Sequence, residues 1–437
     1  MEHYLGTDLC HCGKVHKAAI DDVIIGRGVV NRLPELINRY GAKKPFLLAD
    51  CNTYQAAGKE ICNLLDAHSI PYGMYVFSDK NLEPDEQAVG SACMHFETAC
   101  DLIVGIGSGV INDIGKILSN LTGRKYIIVA TAPSMDGYAS ATSSMSMDGL
   151  KVSVNSRCAD VIIGDTEILK TAPDCMLRAG LGDMLAKYVS IAEWRIAHVV
   201  TGEYYCERVA ELIRVALKRC VANAEGLMKR EDQAIAAVFE GLVLGGVAMA
   251  YAGVSRPASG VEHYFSHVWD MRGLELGTKV DLHGIQCALG TLQAVRLYEA
   301  LKKMTPREEK ATAYIENFSY AAWQEELRSF LGRSAETMIE QEIREKKYDK
   351  STHPARFARI REHWDTILRI LEEELPTERE IADILDTIGI PKDLASIGVD
   401  SRIAKLTFQA TKDIRDKYVL SRLAWDLGVL DELCALL

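Results

Sequence analysis

The chain has no surplus of positive charge. Its 50 Lys and Arg stand against 61 Asp and Glu, a formal net charge of −11. A nucleic-acid surface needs clustered cations, so no nucleic-acid partner is expected. One small anion stays open, because a few buried cations suffice for a phosphate. The first residues, MEHYLGTDLCHCGKVH, lack the apolar core of a signal peptide. The 12 cysteines, from Cys10 to Cys434, lack the compact spacing of a disulfide framework. Reduced thiols and a cytoplasmic setting follow as expectations. There is no internal repeat and no low-complexity segment. The most apolar long stretch, Ile235–Val254, is broken by Glu240 and diluted by four glycines. It reads as a buried helix, and no membrane partner is expected. What remains is a globular balance, 48% hydrophobic and 25% charged, over 437 residues, enough for two domains.

The first part alternates short apolar runs with helical patterns. DVIIG (Asp22–Gly26), PFLLAD (Pro45–Asp50), YGMYVFS (Tyr72–Ser78), DLIVGIG (Asp101–Gly107) and KYIIVA (Lys125–Ala130) read as strands. Tyr54–Ala67 and Val110–Leu121 read as helices between them. Such alternation predicts a parallel, Rossmann-like sheet covered by helices. DGLKVSVN (Asp148–Asn155) reads as a hairpin arm. After Thr166 helical patterns dominate: Pro173–Val199, Glu203–Met228, Glu231–Tyr251, Leu282–Lys302 and Pro354–Leu375. The expected organisation is an α/β dinucleotide-binding domain over 1–165 and a helical metal- and substrate-binding domain over 166–437. The charges of Arg307–Thr377 read as solvated helix faces.

DLIVGIGSGVINDIGK (Asp101–Lys116) runs strand, glycine turn, helix. Gly105, Gly107 and Gly109 let backbone approach a ligand, and Ser108 adds a hydroxyl. The helix N-terminus aims its N–H groups at the same spot, a place for a pyrophosphate. The spacing departs from Gly-x-Gly-x-x-Gly. Asp50 ends an earlier strand, where a carboxylate either accepts from an adenosine ribose or merely caps a turn. The first reading favours NAD over NADP. TAPSMDGYAS (Thr131–Ser140) follows another strand. Its Thr131, Ser134 and Ser140 are candidates for the nicotinamide end, and Asp136 for substrate.

Three segments of the helical part carry polar groups on apolar helices. GLGDMLAKYVS holds Asp183. RPASGVEHYFSHVWD holds His263 and His267, four apart on one helix face. DLHGIQCALGT holds His283. One carboxylate and two imidazoles make a divalent site with an open position. A cap for Asp183 and ordinary packing for the histidines are the plainer alternatives.

GIGSGVINDIGK, TAPSMDGYASA, GLGDMLAKYVSIAEW, SRPASGVEHYFSH and LHGIQCALGT occur in that order. Together they resemble the sn-glycerol-1-phosphate dehydrogenases of the bacterial kind. That family lies within the dehydroquinate synthase and iron-containing alcohol dehydrogenase superfamily. The resemblance covers roughly residues 20–300. It implies a dehydroquinate synthase-like fold with the active site in the cleft between the two domains. It implies Asp183, His263 and His283 as metal ligands. It implies Gly107, Ser108, Gly109, Val110, Ile111, Thr131, Ser134 and Ser140 as dinucleotide contacts, with Asp50 on the ribose side. Asp136, Asp183 and His267 would serve the substrate and catalysis. The cofactors would be NAD, with NADP as the alternative, and one divalent ion: zinc or nickel, with iron as the alternative. The reaction would reduce dihydroxyacetone phosphate to sn-glycerol 1-phosphate for phospholipid metabolism, in a cytoplasmic homodimer or other homo-oligomer.

Arg256 is the candidate phosphate partner, since guanidinium matches phosphate in two directions. The rivals are a glycerol or other alcohol dehydrogenase, a dehydroquinate synthase-like lyase, and a non-catalytic scaffold. The lyase would need a denser cluster of Lys, Arg and His, and a scaffold has no use for an open metal position. Val261 departs from the small residue common before the Glu-His pair. CHCGKVH (Cys10–His16) lies outside the family motifs. Its donors suit a second metal, but its Cys-x-Cys has no matching second half.

Overall fold

The computed structural model describes residues 9–147, 150–278 and 280–437. Six strands are β1 (Asp22–Gly26), β2 (Pro45–Asp50), β3 (Gly73–Phe77), β4 (Leu102–Gly107), β5 (Lys125–Ala130) and β8 (Val161–Asp165). They form one parallel sheet in the order β1-β8-β5-β4-β2-β3. β6 (Thr142–Met147) and β7 (Leu150–Asn155) make a separate antiparallel pair. The hairpin arm read over Asp148–Asn155 is therefore β7; Asp148 and Gly149 lie outside the described residues.

The five expected strands are present, and a sixth, β8, was not anticipated. VIIGD is only five residues long and adjoins the start of the helical region. It is nonetheless interior, hydrogen-bonded between β1 and β5. β2, β4, β5 and β8 are buried almost throughout. Sheets covered on both faces read as continuous apolar runs, as these do. One face packs Leu47, Val104, Ile127 and Ile163 against Leu33, Leu36, Ile61 and Leu65.

The chain divides into two compact units. The first comprises Met1–Met184 and Glu211–Val254, the second Leu185–Ala210 and Ser255–Leu437. In the first, the helix Asp232–Ala252 is long and apolar enough to cross a membrane, but 72% of its apolar window is buried in protein. Phe239 fills the space over Gly164 of β8, and Gly246 lies against Ala139. It is a core helix, as its composition suggested.

The second unit is helical. Glu203–Met228, read as one helix, breaks into Glu207–Ala222 and Ala224–Met228, the first unit taking over from Glu211. Pro354–Leu375 breaks at His363 into His353–Glu362 and Trp364–Glu374. Most charges of 307–377 are solvated as expected, but Glu342 and Glu374 are buried. Glu342 accepts from the Lys347 and Tyr348 amides, and Glu374 pairs with Arg195.

Candidate active site

β2 and β4 are neighbours, with Ala49 beside Ile106, although β3 separates them in sequence. The winding of the sheet reverses here, so the carboxyl ends of these strands open the crevice where such sheets take ligands. Asp50 ends β2 and Gly107 ends β4. The helix Gly109–Thr122 begins directly after Ser108. The amides of Gly109, Val110 and Ile111 belong to its first turn, where intrahelical acceptors are missing. A Cβ on Gly107 would lie 2.4 Å from Ile111 Cβ, so the turn into the helix requires glycine. The Ile111 side chain is buried, and only its backbone suits a cofactor.

Gly105 has a different purpose from the one expected. A Cβ there would meet the Tyr126 hydroxyl at 2.4 Å, and one on Gly115 would meet it at 2.5 Å. The two glycines make room for a buried tyrosine between strand and helix, so Gly105 serves packing and not ligand approach.

Asp50 caps the turn that follows it. Its Oδ1 accepts from the Asn52 amide at 2.7 Å and the Thr53 amide at 3.0 Å. The capping alternative is thus realised, through one of the two carboxylate oxygens.

The loop after β5 is tied to the glycine turn and its helix. The Thr131 amide donates to Gly107 O at 3.0 Å. Asn112 Nδ2 donates to Gly137 O at 3.1 Å. Lys116, fully buried, donates to Thr142 O at 2.6 Å and pairs with Asp113 at 2.8 Å. Ser134 is buried, and Ser140 Oγ accepts from the Thr142 amide at 3.1 Å. Asn112 and Lys116 are positioning residues that sequence reading passed over. Their signal was present as polar residues on the inward face of an apolar helix.

Asp183 lies fully buried in the helix Asp174–Thr201. Its Oδ2 accepts from the Asp136 amide at 2.9 Å. The first unit therefore holds Asp50, the glycine turn, the 131–140 loop and Asp183.

The second unit brings His263, His267 and His283 together. His263 and His267 lie on the helix Val261–Leu276, and His283 opens the helix His283–Leu301. The His283 ring centroid is 5.1 Å from that of His263 and 6.1 Å from that of His267. His263 Nδ1 donates to Glu262 Oε1 at 2.9 Å, and His283 Nδ1 lies 3.0 Å from Ser266 Oγ. With Nδ1 engaged in each ring, Nε2 is the nitrogen suited to a metal, the usual arrangement behind ligating imidazoles. The residues fit a divalent ion on this ground.

Cys287 is a further member of this cluster, one that the sequence motifs do not single out. It follows His283 by one helical turn, and its sulfur lies 3.5 Å from His283 Nε2. Burial raises its thiol, but His263 and His283 outweigh burial and the net shift is downward. Its (i, i+4) spacing from His283 was the available signal. Burial, Arg415 and the neighbouring histidines hold His267 well below the usual imidazole range, so it stands neutral.

Glu193 steadies the start of the His263 helix. It accepts from the Val261 amide at 2.9 Å, the Leu420 amide at 2.8 Å and the Tyr298 hydroxyl at 3.0 Å. Burial and nearby Glu262 push its carboxyl up. Val261, the departure from the family pattern, is buried and begins this helix without disrupting it.

Arg256 is not placed to meet substrate. It is 1% exposed, with Nε donating to Glu203 Oε1 at 2.7 Å, Nη2 to Glu203 Oε2, and Nη1 to Tyr418 O at 3.0 Å. Its guanidinium fork is spent on a structural carboxylate.

The pattern of the family described as iron-containing alcohol dehydrogenase matches residues 24–173. The chain is 33% identical over 301 residues to glycerol-1-phosphate dehydrogenase [NAD(P)+] of Halalkalibacterium halodurans, covering 68% of this chain and 75% of the relative. It is 27% identical over 425 residues to the protein of the same name from Bacillus licheniformis, covering 96% and 93%. Its fold is similar to the solved iron-containing alcohol dehydrogenase of Thermococcus thioreducens, with a TM-score of 0.62 at 14% identity, covering 94% and 98%.

Proposed function

Because this chain belongs to the glycerol-1-phosphate dehydrogenase family, we propose that it reduces the C2 ketone of dihydroxyacetone phosphate to sn-glycerol 1-phosphate, consuming NADH or NADPH. The observation that carries this reading is the paired anchoring of His263 by Glu262 and His283 by Ser266, which readies both imidazoles for one divalent ion. Asp183 completes the proposed ligand set, on the family resemblance. Bound there, zinc or nickel (iron as the alternative) supplies Lewis-acid stabilisation of oxyanion charge, while the nicotinamide supplies hydride.

The chain's own residues bind, orient and move protons. In the proposal, the first-turn amides of Gly109, Val110 and Ile111, with Gly107 and Ser108, hold the pyrophosphate. Thr131, Ser134 and Ser140 line the nicotinamide end. Asp50 uses Oδ1 as a cap and Oδ2 toward the adenosine ribose. Asp136 and His267 orient the substrate hydroxyl and relay, directly or through water, the proton that the C2 oxygen takes up after hydride transfer; neutral His267 would pass on its ring proton and take another in its place. The proposed functional division is 1–165 for dinucleotide and 166–437 for metal and substrate, with Asp136 as the exception; the compact units are cut differently, the first also taking in 166–184 and 211–254.

With Arg256 committed to Glu203, we assign the substrate phosphate to Lys417 and Arg415. Lys417 Nζ donates to Ser259 O at 2.7 Å and lies 5.7 Å from the Tyr264 ring centre. Both cations act electrostatically on His267. Burial, Arg256 and Arg415 push the Lys417 ammonium down to about 7. A cation crowded by cations gains from a bound dianion. On the resemblance alone, the proposal extends to a cytoplasmic homo-oligomer whose product enters phospholipid or other glycerophosphate synthesis.

The test is NADH and NADPH consumption with dihydroxyacetone phosphate, on enzyme loaded separately with zinc, nickel and iron, followed by chiral analysis of the product. Glycerol with NAD is the control for an alcohol dehydrogenase. Turnover of glycerol without turnover of the phosphorylated ketone, or formation of the opposite enantiomer, would overturn the proposal.

A further inference from the structure

CHCGKVH forms a folded turn. Leu9 and Val15 make an antiparallel bridge, the Cys10 amide donates to Lys14 O at 3.0 Å, and the Gly13 amide donates to Cys10 O at 2.9 Å. Gly13 has φ of +82°, a left-handed conformation that glycine adopts without strain. The turn carries Cys10 and Cys12, and His16 directly follows the bridged Val15. The turn is also fastened to the end of the helix Asp232–Ala252. His16 Nδ1 donates to Tyr251 O at 2.9 Å, and Lys14 Nζ donates to Ala252 O at 3.3 Å.

The tautomer follows from these contacts. A carbonyl only accepts, so Nδ1 of His16 carries the proton, and Nε2 presents its lone pair. Nε2 lies 3.3 Å from Cys12 Sγ. The Cys10 sulfur, the Cys12 sulfur and a His16 ring nitrogen all lie within 4.8 Å of one another. Zinc–sulfur bonds of about 2.3 Å and zinc–nitrogen bonds of about 2.0 Å set tetrahedral donors about 3.5 Å apart. Small side-chain rotations close the difference. Cys10 and His16 are buried, and neither cysteine is in a disulfide. An imidazole whose second nitrogen donates to a backbone carbonyl is the arrangement found behind structural zinc ligands.

We propose that Cys10, Cys12 and His16 bind a divalent cation of the zinc class, separate from the ion assigned to His263 and His283. Two thiolates and an imidazole select zinc over calcium or magnesium. The ion replaces the Cys12 and Cys10 protons, which leave to solvent, and clamps the N-terminal turn onto the end of the core helix. No redox step is involved.

The experiment uses the full chain, purified without chelator. Metal is counted by elemental analysis in wild type and in Cys10→Ser/Cys12→Ser, with circular dichroism as a check of folding. The double variant should lose about one zinc equivalent per chain relative to wild type. Cobalt-loaded wild type should show a sulfur-to-cobalt charge-transfer band that the double variant lacks and Cys287→Ala keeps. X-ray absorption should find two or more sulfurs on part of the zinc. Should the double variant fail to fold, alkylation of wild-type Cys10 and Cys12 answers instead: zinc should slow both by at least about tenfold. Unchanged metal content in a folded double variant, equal alkylation rates, or isolation of a Cys10–Cys12 disulfide overturns the proposal.

Discussion

The Asp183 carboxylate accepts a hydrogen bond from the Asp136 backbone amide at 2.9 Å. Two segments 47 residues apart in sequence thereby become one polar site. Gly180, one turn before Asp183 on the same helix face, makes the approach feasible. A Cβ there would sit 1.7 Å from the Pro133 carbonyl oxygen.

Gly180→Ala should therefore push the helix off the 131–140 loop. Overpacking of this kind costs about 1–3 kcal/mol. We expect a lower melting temperature and a fall in kcat/KM with dihydroxyacetone phosphate, read by thermal denaturation and steady-state kinetics. A variant with wild-type stability and rate would show that the close contact has no consequence.

His263→Ala and His283→Ala should each remove most of the metal at this centre while the chain stays folded. Glu262→Gln, which keeps the volume but weakens the hold on Nδ1, should lower metal affinity by about 10–100-fold. His267→Ala should keep its metal and raise KM for dihydroxyacetone phosphate. Metal titration into the apo variants, followed by substrate saturation, separates ligand from substrate contact. Loss of more than about a hundredfold in affinity on removing His267 would make it a ligand.

Lys417→Met should raise KM for dihydroxyacetone phosphate and leave unphosphorylated dihydroxyacetone little affected. It should also change the pH dependence of stability. The groups acting on Lys417 are Arg256 and Arg415, which depress its proton affinity, and Glu262 and Glu193, which raise it. The folded chain releases the Lys417 proton near pH 7, whereas the unfolded chain holds it to about 10.5. Across that window the unfolded state binds more protons, so this group makes stability rise with pH and lowers it as pH falls toward 7. Urea unfolding from pH 6 to 10 should show that rise as the difference between wild type and variant. Parallel curves would contradict it.

Asp50→Ala should narrow the preference for NADH over NADPH, since the lost carboxylate would have repelled a 2′-phosphate. Stability should fall as well, because a helix cap is worth about 0.5–2 kcal/mol. A wild type that prefers NADPH, measured by kcat/KM for both cofactors, would leave Asp50 with the cap alone.

The alternation of apolar runs and helical patterns determined the parallel sheet, because burial on both faces demands unbroken apolar strands and that demand is written locally. The helix carrying His263 and His267, the glycine turn and the core character of Asp232–Ala252 were legible for the same reason. Partner choice was not. Gly105 and Gly115 admit Tyr126, Arg256 meets Glu203 across 53 residues, and Lys116 reaches Thr142 across 26, none of which any local period encodes. β8 is hard to read because VIIGD runs directly into the helix Thr166–Leu169 with no turn to bound it, and its neighbours in the sheet are distant in sequence. Cys287 stood in plain view at helical spacing from His283, yet only packing brings its sulfur to the imidazole. Sequence specifies which surfaces must be buried; tertiary structure decides which buried polar groups satisfy one another, and that pairing commits Arg256 to Glu203 and the Tyr418 carbonyl and so removes it from the candidates for the phosphate.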